Sequence, residues 1–157
     1  MKTRKQKRVR VIDLFCGIGG MTHGFVNEGF EVVAGIDNDP TCEYGYTRNN
    51  RASFVCKDIA AVTGKELMGL YGDCDIKVLI GCAPCQPFSN LNPKGIRKDK
   101  LVPLQKFAQL IRETEPEIVS MENVKGLIDK GKDTVFKEFI DTLNEYGYRV
   151  SYQIVDT

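Results

Sequence analysis

Residues 8–27, RVRVIDLFCGIGGMTHGFVN, join a short apolar run to a glycine-rich turn and then to a helical pattern. The apolar run predicts a first strand over Arg8–Phe15, and the residues after the glycines predict a helix from about Met21 to Asn27. Short apolar runs and helical patterns continue to alternate along the chain, as is typical of βα units around a parallel sheet. The sequence therefore predicts an α/β fold with a doubly wound, mostly parallel sheet.

The later elements follow from the same two periodicities. Further strands are predicted at Glu31–Ile36, Ser53–Cys56, Asp75–Cys82 and Glu117–Met121. Further helices are predicted from Pro40 to about Asn50, from the capping residue Thr63 to about Leu70, from Pro103 to just before Pro116, and over Thr134–Tyr146. Residues 86–102 show little helical or strand pattern, and a stretch of this length inside a domain is usually functional or disordered.

The residues after Gly147, a predicted helix C-cap, alternate between apolar and polar side chains. This pattern predicts a half-buried edge strand over Tyr148–Val155. Because an edge strand carries unpaired N–H and C=O groups, we expect self-association or partner recruitment through residues 148–155. The predicted sheet is then incomplete at its C-terminal end.

The bulk properties indicate a single globular domain of 157 residues. No apolar stretch approaches the roughly 20 residues of a membrane span, and charged residues interrupt any signal-peptide pattern, so a cytoplasmic location is expected. Six of the 22 Lys and Arg residues lie in the first ten positions, whereas the remainder holds 16 basic and 21 acidic residues. We expect residues 1–8 to form a basic tail and residues 9–157 to form the domain.

The glycine-rich turn predicts a cofactor site. Gly17 and Gly19 allow a ligand to approach the backbone, and Asp37 follows Gly17 at the distance typical of an acid that binds ribose hydroxyls. Thr22 stands where a dinucleotide fingerprint requires Gly or Ala. Nicotinamide, flavin and S-adenosylmethionine remain possible ligands at this point, as does a tight turn with no ligand.

Cys85 follows a predicted strand and stands between Pro84 and Pro87. The carboxyl ends of parallel strands are where ligands bind in open α/β sheets, so Cys85 is a candidate nucleophile. Cys82 and Cys85 also form a C-x-x-C pair, which leaves a redox pair, half of a zinc site or a structural cysteine as alternatives. The six cysteines are expected to be free thiols rather than disulfides, because the cytoplasm keeps thiols reduced.

Glu122 follows the predicted strand Glu117–Met121. If this strand and Asp75–Cys82 are parallel neighbours, Glu122 emerges beside Cys85 at the same edge of the sheet. The apolar residues before Glu122 favour a site acid over an exposed surface acid. The pattern therefore predicts a nucleophile and a carboxyl group in one crevice.

Three blocks in this order, Phe15-Cys-Gly-Ile-Gly, Pro84-Cys-Gln-Pro-Phe and Glu122-Asn-Val, resemble the DNA (cytosine-5)-methyltransferase family. The resemblance runs from about Val9 to the C-terminus and corresponds to the N-terminal half of that family's catalytic domain. It implies a Rossmann-like, S-adenosylmethionine-dependent methyltransferase fold. It also implies that the family's Gln-x-Arg-x-Arg block and target-recognition region are absent, so a second polypeptide or a missing C-terminal segment is expected.

The resemblance also assigns chemical roles. Cys85, as a thiolate, would attack C6 of a cytosine that has been flipped out of the DNA, and Glu122 would contact the N3 edge of the base. The methyl group would come from S-adenosylmethionine and would be transferred to C5. Residues 86–102 would match the loop that closes over DNA.

The cofactor contacts implied by the resemblance are shared among the carboxyl ends of several predicted strands. They fall on Phe15, Gly17, Gly19, Asp37, Asn38, Asp58, Ile59, Pro84 and Leu104. Asn38 departs from the pattern, because the family often has an aromatic residue there to stack on adenine. No metal site is expected.

Two other functions stay open at this stage. A tRNA-acting relative of the family shares the same blocks, so an RNA cytosine-5 methyltransferase is one alternative. A catalytically silent cofactor-binding module that recruits a partner through its open sheet edge is the other.

Overall fold

The computed structural model describes residues 7–84, 102–131 and 135–155 of the chain. Its strands are β1 (Val9–Leu14), β2 (Glu31–Asp37), β3 (Ser53–Cys56), β4 (Ile76–Gly81) and β5 (Ile118–Met121). Its helices are α1 (Gly20–Asn27), α2 (Cys42–Asn50), α3 (Gly64–Tyr71), α4 (Val102–Thr114), α5 (Gly126–Gly131) and α6 (Val135–Glu145), with a 3-10 turn at Ile59–Ala61. The five strands agree with prediction to within one residue at each end, whereas α5 was not predicted.

The five described strands form one parallel sheet in the order β3-β2-β1-β4-β5. The chain runs outward from β1 through β2 to β3, and then returns to the other side of β1 to form β4 and β5. This reversal places the carboxyl ends of β1 and β4 side by side, and ligands bind at such switch points in open α/β sheets. The predicted fold class is confirmed.

One face of the sheet is covered by α3, α4, α5 and α6. Ile12, Leu14 and Leu79 point from the strands into this layer and are fully buried with Phe107 of α4 and Phe139 of α6. The two rings lie 5.8 Å apart between centroids. Burial of these large side chains stabilises the sheet by roughly 1.5–3 kcal/mol each.

The opposite face is covered by α1 and α2. Val11, Val78 and Ile80 lie here, with the ring of Tyr46 from α2 packed over them and completely buried. Helices therefore cover both faces, as the doubly wound prediction requires.

The predicted strand over Tyr148–Val155 is wrong, because this stretch has no strand conformation and pairs with none of the five described strands. The Tyr148 hydroxyl donates to the Pro116 carbonyl oxygen at 2.5 Å, and the Tyr152 ring packs edge-on against Phe136 of α6. These contacts hold the stretch against α6 and the loop before β5. An alternating sequence forms a strand only where a neighbouring strand takes up its N–H and C=O groups.

The predicted cap at Gly147 is confirmed. Gly147 has φ of +79°, and the Tyr148 N–H donates to the Leu143 carbonyl oxygen at 3.0 Å. A left-handed residue with this six-residue hydrogen bond is the usual way for a helix to end at glycine.

Candidate active site

The turn after β1 combines three residues with positive φ, which are Phe15 at +59°, Gly17 at +50° and Gly19 at +91°. A positive φ is uncommon for a residue with a Cβ, so Phe15 holds a strained conformation. The Gly19 N–H donates to the Cys16 carbonyl oxygen at 2.8 Å, and Gly19 is also the N-cap of α1. The turn is therefore tight, and its shape depends on positive-φ backbone conformations that most residues avoid.

The two glycines serve different purposes. A Cβ added to Gly17 would meet no atom within 4 Å, so the open side of the turn is at Gly17. A Cβ added to Gly19 would lie 2.2 Å from Nδ2 of Asn50 and 2.8 Å from the Tyr46 ring, so Gly19 is needed for α1 to pack against α2. The turn is thus open at Gly17 and filled by packed side chains at Gly19, and the approach of a ligand to either residue stays a prediction.

Asp37 ties the end of β2 to this turn. Its Oδ2 accepts a hydrogen bond from the Gly17 N–H at 2.8 Å, and its Oδ1 accepts from the Asp39 N–H at 3.0 Å. A carboxylate has about four acceptor positions, so capacity remains for the hydroxyl groups of a ribose. Asn38, the next residue, is exposed to solvent.

Asp58 and Ile59 lie beyond the end of β3. The Lys57 N–H donates to the Asp37 carbonyl oxygen at 2.8 Å, which joins this loop to the end of β2. Asp58 is exposed and accepts from the Ala60 N–H at 2.8 Å as the cap of the 3-10 turn, while Ile59 is half-buried against the core. The structure thus brings Gly17, Asp37 and Asp58 to the same edge of the sheet.

Leu104 differs from the other predicted cofactor residues. Its side chain is only 4% exposed and lies in the core in the first turns of α4. It lines a cavity of about 270 Å³ between α4 and α6, with Arg112 and Glu138 among the lining residues. Its predicted contact with a cofactor stays a prediction.

β4 and β5 are parallel neighbours, as predicted, with Gly81 opposite Met121. Three hydrogen bonds join the residues that follow them, and we call this set the β4–β5 clamp. The Glu122 N–H donates to the Gly81 carbonyl oxygen at 3.2 Å, the Cys82 thiol donates to Oε2 of Glu122 at 2.8 Å, and Nδ2 of Asn123 donates to the Ala83 carbonyl oxygen at 2.9 Å. The clamp fixes the two strand ends relative to each other.

Glu122 itself is exposed to solvent, which corrects the expectation that the apolar residues before it would bury it. β5 is an edge strand among the described strands. The residues at its end therefore have a neighbouring strand on the β4 side only. Pro84 is exposed and ends the first described part of the chain. Cys85 and residues 86–101 lie outside the described residues, so the approach of Cys85 to Glu122 stays a prediction.

A buried polar group beneath the turn was not predicted. Asp13 of β1 is only 1% exposed, and burial raises the pKa of its carboxyl group to about 6. Its Oδ2 accepts a hydrogen bond from the Thr22 hydroxyl at 2.6 Å, and the Thr22 and Tyr46 hydroxyls lie 3.1 Å apart. The hydroxyl that binds Asp13 belongs to Thr22, the residue that departs from the dinucleotide fingerprint. That departure was the one signal in the sequence that pointed to this buried contact.

Among the described cysteines, Cys16, Cys42, Cys56 and Cys74 are free thiols. Within residues 7–84, 102–131 and 135–155, no group of three His, Cys, Asp or Glu side chains is arranged to hold a metal ion. In the same part of the chain, no helix has the length and apolar character needed to cross a membrane.

Comparison with known proteins finds DNA methylases and methyltransferases. A family model for C-5 cytosine-specific DNA methylases matches residues 9–157. Type II methylase M.HgiDII from Herpetosiphon aurantiacus is 51% identical over 145 residues, which are 92% of this chain and 41% of the relative. Type II methyltransferase M.XorII from Xanthomonas oryzae pv. oryzae is 35% identical over 142 residues, which are 88% of this chain and 34% of the relative.

A solved structure supports the same assignment at the level of the fold. A DNA modification methyltransferase encoded within an E. coli prophage superimposes with a TM-score of 0.74 at 25% identity, covering 87% of this chain and 38% of that protein. The chain thus spans between about a third and two fifths of the length of these three proteins. The Rossmann-like methyltransferase fold is confirmed for this portion.

Proposed function

The chain belongs to the C-5 cytosine-specific DNA methylase family, and on that premise we propose that it transfers a methyl group from S-adenosylmethionine to C5 of cytosine in DNA. The relatives named as type II enzymes favour a role in restriction–modification. Because this chain spans only part of their length, we further propose that activity requires a second polypeptide or a further C-terminal segment carrying the target-recognition region.

The observation that carries this proposal is the β4–β5 clamp. Cys82, Ala83 and Pro84 lead directly to Cys85 in the sequence, and the clamp joins Cys82 and Ala83 to Glu122 and Asn123. Glu122 therefore stands at the base of the segment that carries the proposed nucleophile. This arrangement supports a shared cleft at the switch point of the sheet.

The chemistry requires both groups. C5 of cytosine is a poor nucleophile, so the Cys85 thiolate first adds to C6 and makes C5 electron-rich, while the Glu122 carboxyl group contacts N3 and supports its protonation. After the methyl group is attached, loss of the C5 proton and departure of the Cys85 sulfur restore the aromatic ring. The target base must leave the duplex to reach these residues.

The residues around the glycine turn fit S-adenosylmethionine. Gly17 leaves open space on the ligand side, and Asp37 retains acceptor capacity for ribose hydroxyls while its Oδ2 holds the turn in place. Phe15, Gly19, Asn38, Asp58, Ile59, Pro84 and Leu104 complete the proposed set. When bound, the cofactor supplies the activated methyl group.

A trapping experiment tests the proposed chemistry. The chain is co-expressed with the segment that carries the target-recognition region and incubated with S-adenosylmethionine and a duplex oligonucleotide that has 5-fluorocytosine at the target base, and the protein is analysed by mass spectrometry. We expect a covalent adduct on Cys85, because fluorine at C5 blocks the final elimination; Cys85→Ser is expected to form none. Glu122→Gln is expected to lower the rate of adduct formation by about 10²-fold or more.

The requirement for a further segment is tested separately. Transfer of tritium from labelled cofactor to duplex DNA is measured with this chain alone and after co-expression with a neighbouring reading frame that encodes a Gln-x-Arg-x-Arg block. Strong site-specific labelling by the chain alone would contradict the requirement. Labelling of tRNA but not DNA would favour the RNA alternative, and cofactor binding without any adduct would favour the silent binding module.

A further inference from the structure

We propose that Cys82 is a positioning residue for Glu122, in that its thiol donates a hydrogen bond that orients the catalytic carboxylate. This inference rests on the proposed function, because it gives Cys82 a role in placing the acid of that same site. The chain thus uses two cysteines three residues apart for different purposes: Cys85 as the nucleophile and Cys82 as a hydrogen-bond donor.

The first support is the contact itself. The Cys82 sulfur lies 2.8 Å from Oε2 of Glu122. The Cys82 thiol is the donor of this hydrogen bond, and the carboxyl oxygen is the acceptor. Hydrogen bonds to a charged acceptor are shorter and stronger than those between neutral groups. The contact engages Oε2, and the same carboxylate has further acceptor positions for a substrate.

The second support is that both ends of the contact are on fixed backbone. Glu122 is held by its own N–H, which donates to the Gly81 carbonyl oxygen. The backbone next to Cys82 is held at Ala83, whose carbonyl oxygen accepts from the Asn123 side chain. A thiol and a carboxylate placed this way meet without any movement of either strand.

The third support is the exposure of Glu122. An exposed glutamate with three rotatable side-chain bonds normally samples many rotamers, and fixing it costs conformational entropy. A single donor from the neighbouring strand removes most of these rotamers before a substrate arrives. Rate enhancement depends on such preorganisation, because a misplaced catalytic group loses activity steeply.

The contact can be tested without any enzymatic activity. Protein labelled with ¹³C-glutamate is studied by NMR at constant pH, and the Glu122 carboxyl signal is assigned by its loss in Glu122→Gln. We expect Cys82→Ala to move this signal, Cys82→Ser to keep it near its original position, and Cys74→Ala to leave it unchanged. Cys74 lies before β4, at the opposite end of that strand, and serves as the matched control. An unmoved Glu122 signal in Cys82→Ala would overturn the proposal.

A second measurement covers the case in which Cys82→Ala fails to fold. The rate of alkylation of Cys82 by iodoacetamide is followed by peptide mass spectrometry in the unmodified protein and in Glu122→Gln. We expect faster alkylation in the variant, because a thiol that donates to a carboxylate is held in its protonated, less reactive form. Equal rates in the two proteins would count against the contact.

The catalytic consequence is measured in the preparation that forms the 5-fluorocytosine adduct. Cys82→Ala is expected to slow adduct formation about tenfold with unchanged affinity for S-adenosylmethionine, and Cys82→Ser to recover most of the rate. An adduct rate equal to that of the unmodified protein would overturn the positioning role. If the unmodified protein forms no adduct even together with the segment that carries the target-recognition region, the proposed function fails, whereas the NMR and alkylation results still decide whether Cys82 orients Glu122.

Discussion

At the scale of single residues, Asp13 places a carboxyl group in the interior of the sheet. Burial raises its pKa from 3.8 to about 6, even though the Thr22 hydroxyl donates to it. The folded protein therefore binds the proton more tightly than the unfolded chain does. This contribution to the free energy of unfolding is fully present below about pH 4, declines as the pH rises towards 6, and is absent above that value.

Asp13→Asn removes this dependence, because an amide stays neutral and can still accept a hydrogen bond from Thr22. When the pH is raised from about 4 to about 7, the free energy of unfolding of the unmodified protein should fall by roughly 3 kcal/mol relative to that of Asp13→Asn. A pKa unit corresponds to about 1.4 kcal/mol. Urea unfolding at the two pH values measures the shift. Asp141→Asn on the exposed face of α6 is the control, and a variant that tracks the unmodified protein at both pH values would contradict the prediction.

Gly17→Ala and Gly19→Ala form a matched pair in the same turn. Both residues have positive φ, so each alanine is expected to cost about 1–2 kcal/mol from backbone strain. Gly19→Ala should be more destabilising, because its Cβ overlaps Asn50 and Tyr46, whereas Gly17→Ala should fold and lose affinity for S-adenosylmethionine. Thermal unfolding and calorimetry separate the two effects. Equal stability of both variants would show that the turn does not pack as described.

At the scale of elements, the β4–β5 clamp is the contact between strand ends on which the site depends. Asn123 contributes twice, because its Nδ2 donates to the Ala83 carbonyl oxygen and its Oδ1 accepts from the Val124 N–H at 2.9 Å. The clamp therefore depends on an amide rather than on a carboxylate. An aspartate at this position could replace only one of the two hydrogen bonds.

Asn123→Ala is expected to lower the free energy of unfolding by about 1–3 kcal/mol, because it leaves the partly buried Ala83 carbonyl oxygen without its side-chain donor. Amide hydrogen exchange at Gly81–Ala83 should become faster, with little change at β2 and β3 on the other side of the sheet. Asn123→Asp loses only the Nδ2 donor, so its free energy of unfolding should lie between those of the unmodified protein and Asn123→Ala. Unchanged exchange at Gly81–Ala83 in Asn123→Ala would mean that the clamp does not hold this segment.

At the scale of the whole molecule, several apolar side chains are exposed in the last described stretch and on β5. Tyr152, Ile154 and Val155 are 63%, 56% and 66% exposed, and Ile118 on β5 is 51% exposed. Exposed apolar side chains in one stretch of chain favour burial against another surface. The predicted strand over Tyr148–Val155 is wrong, so we base self-association on these side chains rather than on strand pairing.

Light scattering at increasing protein concentration is expected to show self-association, and the double variant Ile154→Lys/Val155→Lys is expected to reduce it. Charged side chains on an apolar surface oppose burial of that surface in an interface. Tyr44→Lys changes another exposed apolar residue, on α2, and serves as the control. A monomer at all concentrations would exclude self-association through this stretch.

Much of the fold was predictable because its elements are specified locally. The helix at Gly64–Tyr71 begins where Thr63 predicts it, since Thr63 and Glu66 form a reciprocal capping box. Short apolar runs predict the five described strands. The blocks at Gly17, Pro84 and Glu122 indicate the family without any information about contacts. The strand over Tyr148–Val155 failed for the opposite reason: alternation permits a strand, but only a neighbouring strand can form one.

The sequence by itself determined the five described strands, the helices other than α5, the glycine turn after β1 and the family of the chain, because these depend on residues close together along the chain. The tertiary structure alone decided that Thr22 holds Asp13, that Leu104 enters the core and that the Cys82 thiol meets Glu122, 40 residues away. Such contacts depend on how helices and strands pack, and packing brings together side chains whose separation in sequence carries no information about their distance in space.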